Sequence, residues 1–251
     1  MKTIDDVVIP AAGSKKSMES LTQGILSSQL LPLGNHPVIY YSIKDALDSG
    51  IKNIHLIVRD KNSDVEAYVR TQSFSNKINF LYQPQPLGIT NALYQARDFI
   101  SRDYFALVFP DTLNFGETPS LQQTLDFFRK VQANIFTYSP ITRDELQFTS
   151  GTLRLEEQDA PLGKRITSFT FAKKGEAMQF DGEHKVSFIR VLSTNYFDYA
   201  SRALSSIPVD DHLPFKELVK NEPTYSFPLK GRFFDTGIPD GYKRALEHFR
   251  E

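Results

Sequence analysis

Apolar runs and helical spacings alternate along the first half of the chain. The segment "DVVIPAAG" at 6–13 is an apolar run that enters a glycine turn, which is typical of a buried strand. The next segment, "VIYYSIKDALDSG" at 38–50, places apolar residues at helical intervals and closes on a glycine. Further strand-like runs at 51–58, 78–82 and 105–111 are separated by helical patterns at 62–72 and 88–100. This βαβαβαβ order predicts an α/β fold with a mostly parallel sheet and helices on both faces.

The pattern changes near residue 140, where short strand-like runs replace the regular alternation. These runs are "GTLRLEE" (151–157), "RITSFTF" (165–171) and "KVSFIRVL" (185–192), and they predict an added β-rich part. The polar segment "EEQDAPLGKR" (156–165) is expected to be a mobile loop. Helical patterns follow at 195–206 and in the final "PDGYKRALEHFRE".

Composition narrows the class of protein. Hydrophobic residues make up 40% of the 251 residues, enough for one large core, so we expect a single domain, 1–251. A net charge of −1 argues against a nucleic-acid or anionic-membrane partner, because both need a basic field. No apolar run approaches the ~18 residues of a membrane span, and no signal-peptide pattern opens the chain, so a cytoplasmic protein is expected. Without cysteine, any metal would bind oxygen or imidazole.

Small residues follow the first strand. Ala11, Ala12 and Gly13 would let a ring or phosphates approach backbone N–H groups that a bulky side chain would block. An ordinary strand-to-loop turn is the alternative interpretation, and this motif alone does not decide between them.

A second motif joins a strand end to a helix start in "YQPQPLGITNALYQA" (82–96). Gln83 carries an amide donor and acceptor that match the edge of a pyrimidine, and Gly88 offers bare backbone at the start of a helix. A loop stiffened by two prolines is the alternative.

Two acidic residues from distant parts of the chain are candidates for one cation site. Asp111 follows the apolar strand of "LVFPD", and Asp235 lies in "FFDTG". Mg²⁺ usually takes one or two protein carboxylates and leaves its other positions to phosphate and water. Each residue could also be a turn aspartate.

The motifs occur in an order and at spacings that resemble the sugar-1-phosphate nucleotidylyltransferases, the enzymes that make UDP- or dTDP-sugars. Within that family the chain is most similar to the bacterial UTP–glucose-1-phosphate uridylyltransferase branch. The motifs are "VVIPAAG" (7–13), "LLPLGNHPVIYYSIKDALDSGIKNI" (30–54), "QPLGITNAL" (85–93), "VFPD" (108–111) and "FFDTGIPDGYKRAL" (233–246).

The resemblance implies a Rossmann-like nucleotide-diphospho-sugar transferase fold. It divides the single domain into a nucleotide-binding part, 1–139, a small β-rich sugar-binding part, 140–230, and a metal-site strand with a C-terminal helix, 231–251. It implies transfer of a nucleoside monophosphate from a pyrimidine triphosphate, UTP or dTTP, to a sugar 1-phosphate, with release of pyrophosphate and Mg²⁺ as cofactor. Related enzymes commonly form dimers or tetramers, so a homo-oligomer is left open.

Residue roles follow from matching positions. The resemblance assigns contacts with the nucleotide to Ala11, Ala12, Gly13, Gln83 and Gly88. It assigns Mg²⁺ binding to Asp111 and Asp235. It assigns binding of the sugar phosphate to Gly151, Lys173, Lys174 and Arg190. The segment "FTFAKKG" departs from the family's Glu-Lys-Pro motif, since the glutamate is absent. The matching lysine is therefore either Lys173 or Lys174.

The loop after the first strand departs further from the family pattern. The family carries Gly-x-Gly-Thr-Arg after the first strand and Pro-Lys before the Leu-Pro turn, and this chain reads "GSKKSM" and "SSQLLP". Ser17 and Ser28 stand near the positions of the lost cations. Cations there offset charge on the transferring and leaving phosphates, so their loss would nearly silence the usual mechanism. Lys15 and Lys16 are the candidate catalytic replacements, with solvated surface as the alternative.

Two functions stay open: an active nucleotidylyltransferase, or a catalytically impaired homologue that binds nucleotide or nucleotide-sugar as a regulatory or partner protein. The serines favour the second, and the retained carboxylates favour the first. A glycosyltransferase is disfavoured because the chain has no Asp-x-Asp pair. A serine hydrolase is disfavoured because no Gly-x-Ser-x-Gly turn occurs and the five histidines are scattered.

Overall fold

The computed structural model describes residues 2–13, 16–177, 183–206 and 209–250. Its strands are β1 Asp6–Pro10, β2 Pro32–Leu33, β3 His36–Pro37, β4 Asn53–Val58, β5 Ile78–Tyr82, β6 Tyr104–Val108, β7 Thr112–Phe115, β8 Asn134–Ile141, β9 Gly151–Ala160, β10 Gly163–Lys173, β11 His184–Val186, β12 Ile189–Ser193, β13 Thr224–Pro228 and β14 Arg232–Asp235. Its helices are α1 Glu19–Thr22, α2 Val38–Asp48, α3 Asp64–Arg70, α4 Gly88–Tyr94, α5 Ser120–Val131, α6 Lys174–Ala177, α7 Tyr196–Leu204, α8 Leu213–Asn221 and α9 Pro239–His248. None of the helices within these described ranges is long and apolar enough to cross a membrane.

The central sheet confirms the predicted α/β fold. Strands β6, β1, β4 and β5 lie side by side and parallel, so their carboxyl ends share one edge. On the far side of β6, the antiparallel strand β12 links this parallel part to β8. The parallel strands come from the apolar runs of the first half, as expected for strands covered on both faces.

Alternation along β1 shows why helices cover both faces. Val7 and Ile9 pack in one apolar cluster with α2, α3 and α5, whereas Val8 packs in another with α4, α7 and α8. All three side chains are fully buried. Successive strand residues point to opposite faces, so one apolar run serves both clusters.

The β-rich part is a closed ring of pairings. Strand β8 pairs with β13, β13 with β10, β10 with β9, and β11 with both β9 and β8. Because β8 also belongs to the main sheet, the ring and the parallel strands are continuous. The expected division at residues 139 and 140 falls inside β8.

The expectation of a mobile loop at 156–165 was wrong. These residues form the end of β9 and the start of β10, with Gly163 paired opposite Ala160. Most positions at this end of the hairpin are exposed or half-buried, so the charged side chains contact solvent. The backbone groups of the two strands still pair with each other. Polar composition therefore does not exclude a strand when one face of the hairpin is solvated.

Other boundaries also differ from expectation. The helical pattern at 88–100 becomes α4, which ends at Tyr94, and a short 3₁₀ turn, Arg97–Phe99. Helices α5 and α8 and strand β8 were not anticipated.

Candidate active site

A two-stranded ribbon fixes the two candidate metal aspartates. Asp111 lies just beyond the carboxyl end of β6, and β14 pairs antiparallel with β7 so that Asp235 lies opposite Thr112. The backbone N–H and the hydroxyl of Thr236 both donate to the carbonyl oxygen of Asp111, each at 2.8 Å. The ribbon therefore joins residues 124 positions apart at one edge of the sheet.

The two carboxylates converge over the backbone of Gly237. A Cβ atom placed on Gly237 would lie 2.6 Å from Asp111 Oδ2 and 3.0 Å from Asp235 Oδ1. Only glycine leaves room for both oxygens. The structure thus brings together the two aspartates that the sequence paired.

Burial and a like charge shape the electrostatics of this pair. Asp235 is 5% exposed, and its oxygens accept backbone N–H groups from Ser150 at 2.7 Å and Gly237 at 2.9 Å. Burial raises the pKa of Asp235, and the charge of Asp111 raises it further, while the backbone donors act in the opposite direction. A cation between the carboxylates would remove this repulsion.

The donor set fits a hard cation bound by few protein ligands. In the described ranges no three residues among His, Cys, Asp and Glu cluster closely enough to hold a metal ion by themselves. Two carboxylate groups at a cleft suit Mg²⁺, which completes its shell with phosphate oxygens and water. A closed structural zinc site would need four ligands.

A cavity of about 260 Å³ adjoins the carboxylate pair, and we call it the Arg190 cavity. Arg190 on β12 is 8% exposed, and its guanidinium lies 4.2 Å from the ring centre of Phe215 and 4.5 Å from that of Phe136. Its Nε has no hydrogen-bond partner in the described structure. Burial lowers the pKa of Arg190 to about 10, so the group is still a cation at neutral pH. A buried, unpaired guanidinium facing a cavity favours an anionic ligand.

The other predicted sugar-phosphate residues lie in different surroundings. Gly151 lines the Arg190 cavity, and a Cβ there would lie 2.5 Å from the ring of Phe171. Lys173 is exposed at the end of β10, where its backbone N–H donates to Glu176 at 3.0 Å. The side chain of Lys174 lies outside the described part of the chain.

The small residues after β1 line a second cavity, of about 440 Å³, which we call the first-loop cavity. Ala11 and Ala12 are buried, and Gly13 is exposed at the mouth. The N–H of Ala11 donates to Ile57 at 2.7 Å, which extends the pairing of β1 and β4 into the loop. Among the candidate catalytic residues, Lys15 lies outside the described residues, as does the side chain of Lys16.

The amide of Gln83 bonds within its own loop. Its Nε2 donates to the carbonyl of Gly88 at 2.9 Å and to Asn91 Oδ1 at 3.0 Å. Gly88 has φ +89°, and a Cβ there would overlap the carboxylate of Asp211, which accepts the N–H of Thr90 at 2.9 Å. Gln83 therefore keeps only its carbonyl oxygen for a ligand, and the reading of a pyrimidine by these residues stays a prediction.

The two serines near the lost cation positions lie in different surroundings. The hydroxyl of Ser17 donates to the carbonyl of Gly237 at 2.9 Å, which ties the first loop to the turn after Asp235. Ser28 is buried, and its hydroxyl has no partner in the described structure. The Ser17 position therefore does lie at the carboxylate site, without the charge.

Sequence reasoning missed His212, which lines the Arg190 cavity and stacks on Phe171 with ring centres 5.4 Å apart. It also missed Asp211, which contacts the start of α4. Neither residue stands in a distinctive local pattern, so only the fold reveals them.

Comparisons with known proteins show the family of the chain. The Nucleotidyl transferase family model matches residues 6–170. The UTP–glucose-1-phosphate uridylyltransferase of Bacillus subtilis is 25% identical over 167 residues, 58% of this chain and 57% of that protein. The Mycoplasma genitalium protein of the same name is 25% identical over 276 residues, 98% of this chain and 91% of its own length.

Solved structures show the same fold along the whole chain. A UDP-glucose pyrophosphorylase complexed with UDP-glucose superposes with a TM-score of 0.82 at 18% identity, covering 99% of each chain. A UTP-bound enzyme from Acinetobacter baumannii gives a TM-score of 0.77 at 17% identity, covering 98% of this chain and 93% of its own. The family model alone covers well over half of the residues, and the chain belongs to the nucleotidyl transferase family.

Proposed function

We propose that the protein transfers a nucleoside monophosphate from UTP or dTTP to the phosphate of a sugar 1-phosphate and releases pyrophosphate. The observation that carries the proposal is the meeting of Asp111 and Asp235 beside a cavity that contains the unpaired Arg190. A cation site next to a buried guanidinium suits two phosphates that must approach each other.

The reaction needs two phosphates in line. An oxygen of the acceptor phosphate attacks the α-phosphorus and forms a new P–O bond, and the bond to the β-phosphate breaks so that pyrophosphate leaves with the electron pair. Asp111 and Asp235 would hold Mg²⁺, which supplies positive charge beside the α-phosphate. Arg190 binds the acceptor phosphate from its buried position and orients the attacking oxygen.

The nucleotide occupies the edge formed by β1, β4 and β6 in this proposal. Backbone at Ala11, Ala12 and Gly13 contacts the base and ribose, and the free carbonyl oxygen of Gln83 accepts a hydrogen bond from the pyrimidine. Lys15 and Lys16 supply the positive charge that Ser17 cannot provide.

A second candidate is a homologue that binds nucleotide or nucleotide-sugar without turnover and acts as a regulatory or partner protein. The hydrogen bond from Ser17 to Gly237 favours it, because a neutral side chain occupies the place of a catalytic cation. The carboxylate pair favours the active enzyme, since a scaffold has no need of two acidic groups that converge at one edge of the sheet.

Pyrophosphate release separates these candidates. The protein is incubated with UTP or dTTP, Mg²⁺ and a panel of sugar 1-phosphates, and we expect release with at least one pair. Lys15→Ala combined with Lys16→Ala should lower the rate about 10²-fold or more. Calorimetric binding of a UDP-sugar with no turnover across the panel would leave the second candidate, and no nucleotide binding at all would overturn both.

A further inference from the structure

His212 lies on the wall of the Arg190 cavity, in the residues just before α8. It comes from a part of the chain that no motif identified. The cavity also contains Asp111 and Asp235, so its contents would lie directly beside the proposed transfer site.

The ring of His212 has one aromatic neighbour, and its backbone has one polar neighbour. The ring stacks on Phe171 with an interplanar angle of 24°, and Phe171 can lie there because Gly151 has no Cβ. The backbone N–H of His212 donates to Asp210 Oδ1 at 2.8 Å. In the described structure neither ring nitrogen of His212 has a hydrogen-bond partner, so both are available to a ligand.

Arg190 and His212 line the same cavity, and neither forms an ion pair with another described residue. Across the residues that the structure describes, no carboxylate lies within ion-pair distance of Arg190, and its Nε is unpaired although the side chain is 8% exposed. A buried cation of this kind is costly unless a ligand completes it. A phosphate between the two side chains would satisfy both.

Several charged groups act on His212. Burial lowers the pKa of His212, and the charge of Arg190 lowers it further. Asp210 and Asp211 raise it, and Lys216 on α8 lowers it. An anion placed beside the ring would raise the pKa of His212 and favour the protonated form.

We propose that His212 is a second anchor for the acceptor phosphate, binding it together with Arg190 and selecting a phosphate dianion. This inference rests on the proposed function. Among the side chains that the structure describes, that of His212 lines the cavity and that of Lys173 does not, so His212 offers a hydrogen-bond donor beside Arg190. The histidine binds the acceptor and leaves the nucleotide contacts unaffected.

Kinetics with a matched control test the anchor. His212→Gln keeps a polar side chain of similar reach but removes the charge that a bound dianion would induce. His36→Gln is the control, because the ring of His36 also stacks on an aromatic ring, that of Tyr40 with ring centres 3.7 Å apart, and His36 does not line the cavity. We expect His212→Gln to raise the KM for the sugar 1-phosphate about 10- to 100-fold, with the KM for the nucleotide within about twofold.

The pH profile adds a readout that a stacking role would not change. In the wild type the acceptor KM should rise with pH as the bound histidine loses its proton, and this dependence should be absent in His212→Gln. An unchanged acceptor KM, or equal rises in the KM values of both substrates, would overturn the anchor.

Imidazole NMR tests the site without turnover. Inorganic phosphate is added to the protein, and the ring signals that disappear in His212→Gln are followed against pH. We expect phosphate to raise the pKa of His212, and no change would overturn the anchor.

The two proposals fail separately. Turnover that is indifferent to His212→Gln would remove the anchor and keep the enzyme. A phosphate-induced change at His212 in a protein that releases no pyrophosphate would keep the anion site and remove the enzyme.

Discussion

Two buried aspartates at opposite ends of the sheet differ in what surrounds them. Asp6 begins β1 at the amino edge, and its carboxylate accepts hydrogen bonds from His55 at 3.0 Å, Asn53 at 3.0 Å and the hydroxyl of Ser101 at 2.6 Å. Burial alone would raise the pKa of Asp6, but these donors lower it to about 2. The side chain is fully buried and stays ionised.

Asp235 ends β14 at the opposite edge and has the reverse balance. Two backbone N–H groups bond its oxygens, yet burial and the neighbouring Asp111 raise its pKa. The difference between Asp6 and Asp235 separates a carboxylate that joins strands from one that we propose as a cation ligand. Hydrogen bonds stabilise the charged form of Asp6, whereas burial and the charge of Asp111 destabilise the charged form of Asp235.

The largest expected effect breaks the carboxylate pair. Asp111→Asn removes one proposed metal ligand, so the rate of pyrophosphate release should fall about 10²- to 10³-fold. Asp98→Asn is the control, since Asp98 is exposed and remote from both cavities. A variant at position 111 that retains the wild-type rate would remove this carboxylate from the mechanism.

Replacing the structural aspartate should affect folding instead. Asp6→Asn cannot accept from all of its donors, so we expect a loss of about 3 kcal/mol in the free energy of unfolding, measured by urea denaturation. Turnover per folded molecule should be unchanged. Asp5→Asn is the neighbouring control: its partners Lys52 and Arg102 are half-exposed or more, so about 0.5–1 kcal/mol is expected. Equal losses in the free energy of unfolding for Asp6→Asn and Asp5→Asn would show that the hydrogen bonds of Asp6 stabilise the fold no more than the ion pairs of Asp5 do.

The sequence predicted the parallel half of the fold because the apolar positions of its strands and helices are the positions that are buried there. It predicted less of the β-rich part, since the hairpin of β9 and β10 exposes charged positions and resembles a loop. Helix α5 was not identified although its apolar residues follow helical spacing.

The candidate site was partly predictable for a physical reason. Asp111 and Asp235 each belong to a recognisable motif, so motif order could pair them across the chain. His212 and the network of Asp6, His55 and Ser101 depend on which strands and loops become neighbours. No local spacing encodes those contacts.

The effect of Mg²⁺ on thermal stability should depend on the carboxylate pair and not on Asp6. At a concentration well above its dissociation constant, Mg²⁺ should stabilise the wild type by about 1–2 kcal/mol, seen as a rise in Tm. Asp111→Asn should lose this rise, whereas Asp6→Asn, although less stable, should keep it. A Mg²⁺ response that survives in Asp111→Asn would place the cation elsewhere.

The smallest effect concerns pH without metal. The pKa of Asp6 is lowered on folding, so its contribution is present above the unfolded value near 4 and is lost as the pH falls towards 2. The pKa of Asp235 is raised, so its contribution favours folding at low pH and is lost as the pH rises through the folded pKa. Asp111→Asn removes the like charge, so its stability relative to the wild type should increase by about 1 kcal/mol between pH 4 and pH 7. A relative stability that is constant over this range, measured by urea denaturation in chelator, would show that the two carboxylates do not repel each other.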